Sequence, residues 1–423
     1  MSHLAKAWSE LRGYAAAVFF VCLLGWSLTM MDQSLFSYAM IGIQEEFDVG
    51  IEEIGWILTI SFIFTAIVAV IIGVLTDHYG RKVMFLFCLV ASALFVGLHA
   101  FITGIASLTI LRMLAFGLSN GLAPITNAYT AEAAPARYRG LMVGLLQTGF
   151  PIGWFLASLI AVPIIGTLGW RYVFLPALAV IPIAFLLVRR LPESKKFTDS
   201  QEQAAKKVVV AKGMPNFSKV GELFEPALRK RTLLIFLAFV MFGGAYAGTA
   251  FYFPIYFVEV RGYTEEVAAT IIGVSYLIGV IGYIFAAFIG EFILTRRNTI
   301  IIWSWLGGLS LAGLMWLSPG YISDYIWFSV MASFFYGTAA VLMTYVTEVF
   351  PTRVRATGAG FAGTFAFNIG QAIFPLMVAY GIDVVGWQWA FTIAAVPSMI
   401  IVGLALANLE NIKSGLELDE IAT

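Results

Sequence analysis

"AEAAPARYRGLMVG" at residues 131–144 and "TEVFPTRVRATGAG" at 347–360 are one pattern written twice. Glu132, Pro135, Arg137, Arg139 and Gly144 recur as Glu348, Pro351, Arg353, Arg355 and Gly360, all at one constant spacing of just over half the chain. A second pair, "GWRYVF" from 169 and "GWQWAF" from 386, keeps nearly the same spacing. A chain of 423 residues that repeats at half its length is two copies of one unit. What surrounds the repeats says what the unit is.

The surroundings are apolar. Hydrophobic residues make up 60% of the chain and charged ones 12%, with a mean hydropathy of +0.89; a soluble domain carries about 25% charged residues. A bilayer core of about 30 Å needs about 20 apolar residues in a helix. Twelve segments meet that length: 16–42, 54–76, 83–102, 106–129, 138–162, 170–190, 232–258, 265–289, 299–317, 322–346, 354–380 and 388–408. The first is too long for a cleaved signal peptide and lacks a small-residue cleavage site. The expected fold is all-α and membrane-integral, with twelve transmembrane helices in two pseudo-symmetric six-helix bundles. The expected units are 1–191, a polar cytoplasmic linker at 192–231 and 232–423. The linker's end, "VGELFEPALRKR" (220–231), suits either a short surface helix or a solvated connection.

Charge is segregated by side. All of the 25 Lys and Arg except Arg112, Arg171 and Arg261 fall in the N-terminus, the even-to-odd connections or the C-terminal tail. The opposite side carries "QEEFDVGIEE" (44–53). By the positive-inside rule both termini are expected in the cytoplasm of a cell whose inner membrane holds the chain. Cys22 and Cys88 lie inside predicted helices and suggest no disulfide framework.

"GVLTDHYGRK" (73–82) follows segment 2, and "LRMLAFGLSNG" (111–121) opens segment 4. "RLPESKK" (190–196) follows segment 6 and "EVFPTRVRATG" (348–358) follows segment 10. With two parallel six-helix halves, these motifs resemble the major facilitator superfamily, in its sugar- and metabolite-porter branch. The loop after segment 8, "GEFILTRRN" (290–298), is a degenerate copy of the first, with Glu291 for the aspartate and Arg296–Arg297 for the basic pair. The resemblance implies a cytoplasmic gate of ion pairs from Asp77, Arg81, Glu132, Arg137, Arg139, Glu348, Arg353 and Arg355, with Gly73 and Gly80 for close helix approach and a tight turn. The alternative for these charges is loop anchoring and topology.

Two charges lie deep in the predicted spans. Asp32 is ~24 Å up segment 1 from its cytoplasmic boundary, and Arg112 is ~21 Å up segment 4. Neither is tolerable alone in lipid, so an ion pair is expected. A carboxylate whose partner and solvation change with conformation can carry a proton, while arginine stays charged. The resembling porters place an aspartate and an arginine at these positions, which implies proton coupling; a structural ion pair is the alternative. His99, near the outer end of segment 3, is a weaker titrating candidate.

Substrate sites in this fold lie mid-membrane between the halves. Candidate contacts are Gln33, Asn120, Gln147, Trp154, Tyr246, Tyr252, Tyr336, Asn368 and Gln371, with Ser34, Asn127, Tyr256, Tyr276 and Tyr345 beside them; each could instead bond a neighbouring helix. Pro254 is expected to bend segment 7. "LQTGFPIGW" (146–154) and "FAFNIGQAIFP" (365–375) resemble the bacterial sialate, lactate and aromatic-acid proton symporters. Carboxylate-carrying relatives commonly have arginine where this chain has Gln371, which weighs against an anionic cargo. The leading expectation is proton-coupled uptake of a small polar organic solute: an organic acid, a sugar acid or a related metabolite. Proton-driven export of a drug or metabolite, and a non-transporting sensor, are the alternatives. No phosphate loop, zinc helix or triad suggests an enzyme. The expected partners are solute, protons and lipid, with no nucleic acid, no metal, no cofactor beyond the proton gradient, and a monomeric state.

Overall fold

The computed structural model describes residues 13–135, 138–189, 191, 193, 218–351 and 353–411. Arg137, the side chain of Asp77 and most of the polar linker lie outside the described residues. Among the described residues every regular element is helical. The first six membrane helices are α1 (Tyr14–Phe47), α2 (Ile51–Tyr79), α3 (Arg81–Leu98), α4 (Ile105–Ala133), α5 (Arg139–Leu168) and α6 (Trp170–Arg189). A short helix at Ser218–Glu222 precedes α7, which runs as Pro226–Ala250 and then Phe253–Glu259. Next come α8 (Glu265–Phe292), α9 (Arg296–Trp316) and α10 (Tyr321–Val346).

The last apolar stretch, Ala359–Ala407, is 49 residues long. At ~1.5 Å per residue it would reach ~74 Å, more than twice a hydrocarbon core. Its backbone breaks at Gly386, where φ is 78° and ψ 166°, giving α11 (359–385) and α12 (387–407). Gly169, between α5 and α6, has φ 90° and ψ 166°. The two "GW" motifs thus mark the same positive-φ turn in each half, a conformation that favours glycine. Twelve spans and the internal repeat are both present.

Packing repeats as well. Gly153 of α5 sits where a Cβ would lie 2.5 Å from the Ser27 carbonyl of α1. Its counterpart in the repeat, Gly370 of α11, sits where a Cβ would lie 2.6 Å from the Gly244 nitrogen of α7. Small residues let these backbones touch in a lipid environment, where close packing rather than water drives association.

The helices are irregular where they pass the middle of the molecule. α5 breaks at Gln147–Thr148, α7 at Phe251–Tyr252 ahead of Pro254, and α10 carries a π-turn at Ala332–Tyr336. Non-helical backbone at this depth survives only where protein or a cavity supplies its partners. The carbonyl freed at Phe251 accepts a 2.6 Å hydrogen bond from the Ser37 hydroxyl of α1, so the break in one half is satisfied by the other.

Candidate functional site

A cavity of about 980 Å³ lies between the two halves. It runs from the mid-membrane breaks to the helix ends on the basic face, the side where the Lys and Arg cluster. Four aromatic rings from four helices frame its deep part: Phe150 of α5, Tyr246 of α7, Tyr336 of α10 and Phe367 of α11. The Phe150 ring lies 5.2 Å from that of Tyr246 and 5.8 Å from that of Tyr336, and Tyr246 stacks on Phe367 at 6.3 Å and 10°. Phe150 and Phe367 hold matching positions in the repeat. Amides complete the wall. The Gln147 Nε2 donates to Asn127 Oδ1 at 3.0 Å, and Gln33, Asn120, Asn368 and Gln371 add to the lining.

Toward the acidic face the cavity is stoppered. The Trp154 ring of α5 stacks on Tyr276 of α8 at 5.0 Å. Phe251 of α7 wedges against Phe62 of α2 and Phe116 of α4, each 5.9 Å away. Every one of these contacts joins one half to the other. At the opposite end the wall is charged. Glu132, Arg139, Glu291, Arg296, Glu348 and Arg355 line it there.

Those charges hold helix ends together within each half. Arg81 pairs with Glu132 at 3.2 Å, and Arg139 Nε donates to the Ala131 carbonyl at 3.0 Å. In the second half Arg296 pairs with both Glu291 and Glu348, and Arg355 Nε donates to the Phe350 carbonyl at 3.1 Å. Burial holds the Glu348 carboxyl above its ordinary range, and Arg296 pulls it the other way. Arg353 points elsewhere, pairing with Glu222 at 3.0 Å and Glu225 at 2.9 Å ahead of α7. Glu193, in the stretch after α6, accepts from the backbone nitrogens of Arg81 at 3.1 Å and Lys82 at 3.3 Å, capping α3 just after the Gly80 turn (φ 94°). The motif after α6 therefore supplies a helix cap to a helix three spans away, which sequence spacing alone could not reveal.

A family model described as Major Facilitator Superfamily matches residues 22–375. The chain belongs to the Major Facilitator Superfamily. Among its relatives is the niacin transporter NiaP of Acinetobacter baylyi, 24% identical, covering 90% of this chain and 91% of that one. The cis,cis-muconate transport protein of the same organism is 29% identical over 82% of this chain and 83% of its own length. The fold also matches a bacterial homologue of the human lysosomal transporter Spinster, in an inward-facing and occupied conformation, with a TM-score of 0.66 at 15% identity over 93% of this chain and 96% of that one. This superfamily member is a multi-pass membrane transporter, not an enzyme.

Within the transporter, seven of the nine expected substrate contacts share the cavity: Gln33, Asn120, Gln147, Tyr246, Tyr336, Asn368 and Gln371. Two do not. Trp154 belongs to the stopper, and the Tyr252 hydroxyl is buried in a 3.0 Å hydrogen bond to the Pro375 carbonyl. Trp154 faces α8 because Gly153 beside it is pressed onto α1, which turns the next side chain to the seam. Met30, Trp26, Phe150 and Phe367 line the cavity although their apolar character gave no polar signal to find them by.

The expected ion pair between Asp32 and Arg112 is absent. Asp32 is fully buried, and neither of its carboxylate oxygens has a hydrogen-bond partner. Arg112 is 1% exposed, with Nε and Nη2 unpartnered. Its guanidinium instead lies 4.1 Å from the Phe36 ring, 4.4 Å from Phe116 and 5.8 Å from Phe251. Phe36 is one helical turn from Asp32 on the same face of α1, and on that helix it is the ring, not the carboxylate, that Arg112 meets. Ring faces attract cations, and a desolvated contact of this kind is worth about 2 kcal/mol. His99 is close by, its ring 6.4 Å from Phe36, with Nδ1 bonded at 2.8 Å to the Phe95 carbonyl.

Proposed function

We propose that this transporter imports a small organic solute of the planar carboxylic-acid class, driven by the proton gradient, with Asp32 as the proton carrier and Arg112 as its state-dependent counter-charge. The observation that carries the reading is the pair of deep charges that do not meet, Asp32 bare and Arg112 packed on Phe36 and Phe116. A bare carboxylate at this depth costs far more as an anion than as a neutral acid. A carboxylate beside arginine has the opposite preference. A transporter that alternates between these surroundings takes up and releases one proton per cycle.

The alternation needs no new parts. The cavity reaches the basic face, which the positive-inside rule assigns to the cytoplasm, so this state faces inward. The halves, residues 1–191 and 232–423, rock about the cavity. Closing the basic face would bring the Glu132–Arg139 and Glu348–Arg355 ends together as the gate. Opening the acidic face would draw α7 away from α1 and α4, taking Phe251 from Arg112 and giving the Phe36 ring room to turn aside, so that the guanidinium could meet Asp32. The relatives named for niacin and cis,cis-muconate support the class of cargo.

Proteoliposomes containing a pH-sensitive dye test the reading. A pool of small aromatic and unsaturated acids is expected to drive proton entry through the wild type and none through Asp32→Asn. Equal proton entry through both would sink Asp32 as the carrier, and solute entry without proton movement would sink the coupling.

A further inference from the structure

At the acidic face the two halves meet carboxyl against carboxyl. On one line, α2 and α11 touch where a Cβ on Gly55 would lie 2.8 Å from the Ala379 Cβ. One helical turn nearer that face, on the same side of each helix, stand Glu52 and Asp383. Their side chains come into hydrogen-bonding contact with each other. On the other line, the Glu266 carboxylate of α8 lies against Gly166 of α5. Glu265 beside it faces Glu45 of α1, and its Oε2 is buried without a partner. Both lines cross from the first half to the second.

Among the described residues no cation bridges either line. Arg171 and Arg261 stand toward the acidic face, and each is engaged within its own half. Arg171 pairs with Glu46 and donates to the Ala100 and Ile102 carbonyls at 3.1 and 2.8 Å. Arg261 pairs with Asp324 at 3.2 Å and donates to the Leu314 carbonyl at 3.1 Å. The charged groups facing Glu52 are Asp383 and, on its own helix, Glu53, whose carboxylate accepts from the Gly50 nitrogen at 2.9 Å. Those facing Glu265 are Glu45 and Glu266. Glu259 of α7 is bonded to Trp387, and His99 packs inside the first half against Phe36 and Phe174.

Two carboxylates in contact repel, and both stay ionised only at a cost. With a proton between them, one carboxyl O–H donates to the other's oxygen and the contact becomes attractive. Parting the halves surrounds each carboxyl with water, which solvates its anion. The closed face thus holds protons that the open face gives up.

We propose that the acidic-face seam is a proton-operated latch, closing as Glu52–Asp383 and Glu265–Glu45 take protons from the outside solution and opening as they ionise. Protons held there return to the side they came from when the face reopens. The latch therefore sets which state is populated and moves no proton across the membrane, so it stands apart from Asp32. Acid outside lets the transporter close over its cargo, and alkali outside holds it open.

Double electron–electron resonance on the full-length transporter in lipid nanodiscs is the test. Nitroxide labels at Leu168→Cys of α5 and Ile322→Cys of α10, 60% and 73% exposed at the acidic ends of opposite halves, report the opening; Cys22 and Cys88 are buried. Between about pH 5 and about pH 8, the ratio of long to short distances is expected to rise, by up to about tenfold per pH unit for each proton released. Asp383→Lys, an exposed position that would give Glu52 a counter-ion, is expected to keep the short distance at about pH 8. Glu52→Gln combined with Glu265→Gln is expected to flatten the response, and Asp32→Asn to keep its slope. A wild-type ratio that ignores pH would overturn the latch. A slope that survives Glu52→Gln with Glu265→Gln would overturn it too, and one lost only in Asp32→Asn would assign the pH response to the deep carboxylate.

Discussion

The two seams between the halves behave differently. Along α5 and α8 the contact runs from end to end: Gly166 against Glu266 at the acidic face, Ser158 against Gly273 in the middle, Gly144 against Ala287 and the Ala340 carbonyl of α10, then Gly140 against Arg296 at the basic face. Along α2 and α11 it covers only the acidic half. A Cβ on Gly55 would lie 2.8 Å from the Ala379 Cβ, whereas Gly73 and Gly360, toward the basic face, have nothing within 4 Å. The close approach expected at Gly73 is therefore not made in this state. One seam is a closed zipper, and the other is open for half its length. The cavity reaches the basic face beside the open seam, so in this state the halves are parted asymmetrically, closed along the α5–α8 line and open beside α2 and α11.

The closed seam should be broken most severely at its charged end. Arg296 is 7% exposed, abuts Gly140 of the other half, and is the shared partner of two carboxylates. Arg296→Ala would leave Glu291 and Glu348 close together with their shared cation gone. Removing one member of a buried ionic group costs about 3–5 kcal/mol. A large fall in the thermal unfolding midpoint in detergent is expected. An unchanged midpoint would show that water already screens this end and that the zipper is not closed there.

The middle of the two seams gives a sharper contrast with a smaller effect. Gly273→Val would force a side chain into the Ser158 hydroxyl across the α5–α8 seam, and overpacking of this kind costs about 1–3 kcal/mol. Gly73→Ala, on the open part of α2, meets nothing and replaces glycine in a helix with the best helix former, so it should stabilise by up to about 1 kcal/mol. Opposite signs in the same unfolding assay would establish the asymmetry. Destabilisation by both would mean that α2 and α11 close over Gly73 for much of the time.

Much of this was legible because it is one-dimensional. Segment lengths, the repeat at half the chain's length and the side on which charges fall are properties of position along the chain, and the bilayer converts them directly into a fold. The depth of Asp32 and Arg112 was legible in the same way. Their separation was not, because it depends on which way each helix is turned. Phe36 and Asp32 share a stripe of α1, and whether ring or carboxylate meets Arg112 is decided by α4 and α7 together. The same lack of azimuth applies to Trp154. It and Gln371 hold equivalent positions in the repeat, yet one plugs the seam and the other lines the cavity. Two halves with one architecture can differ at matching positions because only one of them meets the seam at that point.

Beside the open seam, the charges at the end of α11 stay within one half. Arg353 lies between α10 and α11 and makes two ion pairs, so by count it rivals Arg296. Its side chain is 55% exposed, and its partners Glu222 and Glu225 are 34% and 46% exposed. Water and salt screen such pairs, and holding long side chains in register costs entropy that offsets the attraction. Arg353→Ala should therefore leave the unfolding midpoint within the scatter of repeat scans, at low and high salt alike. A clear loss that salt abolishes would mean that these pairs anchor the chain ahead of α7 to the α10–α11 turn. The basic-face end of α11 would then be held by surface charges within its own half, while the zipper along α5 and α8 would still be what joins the halves.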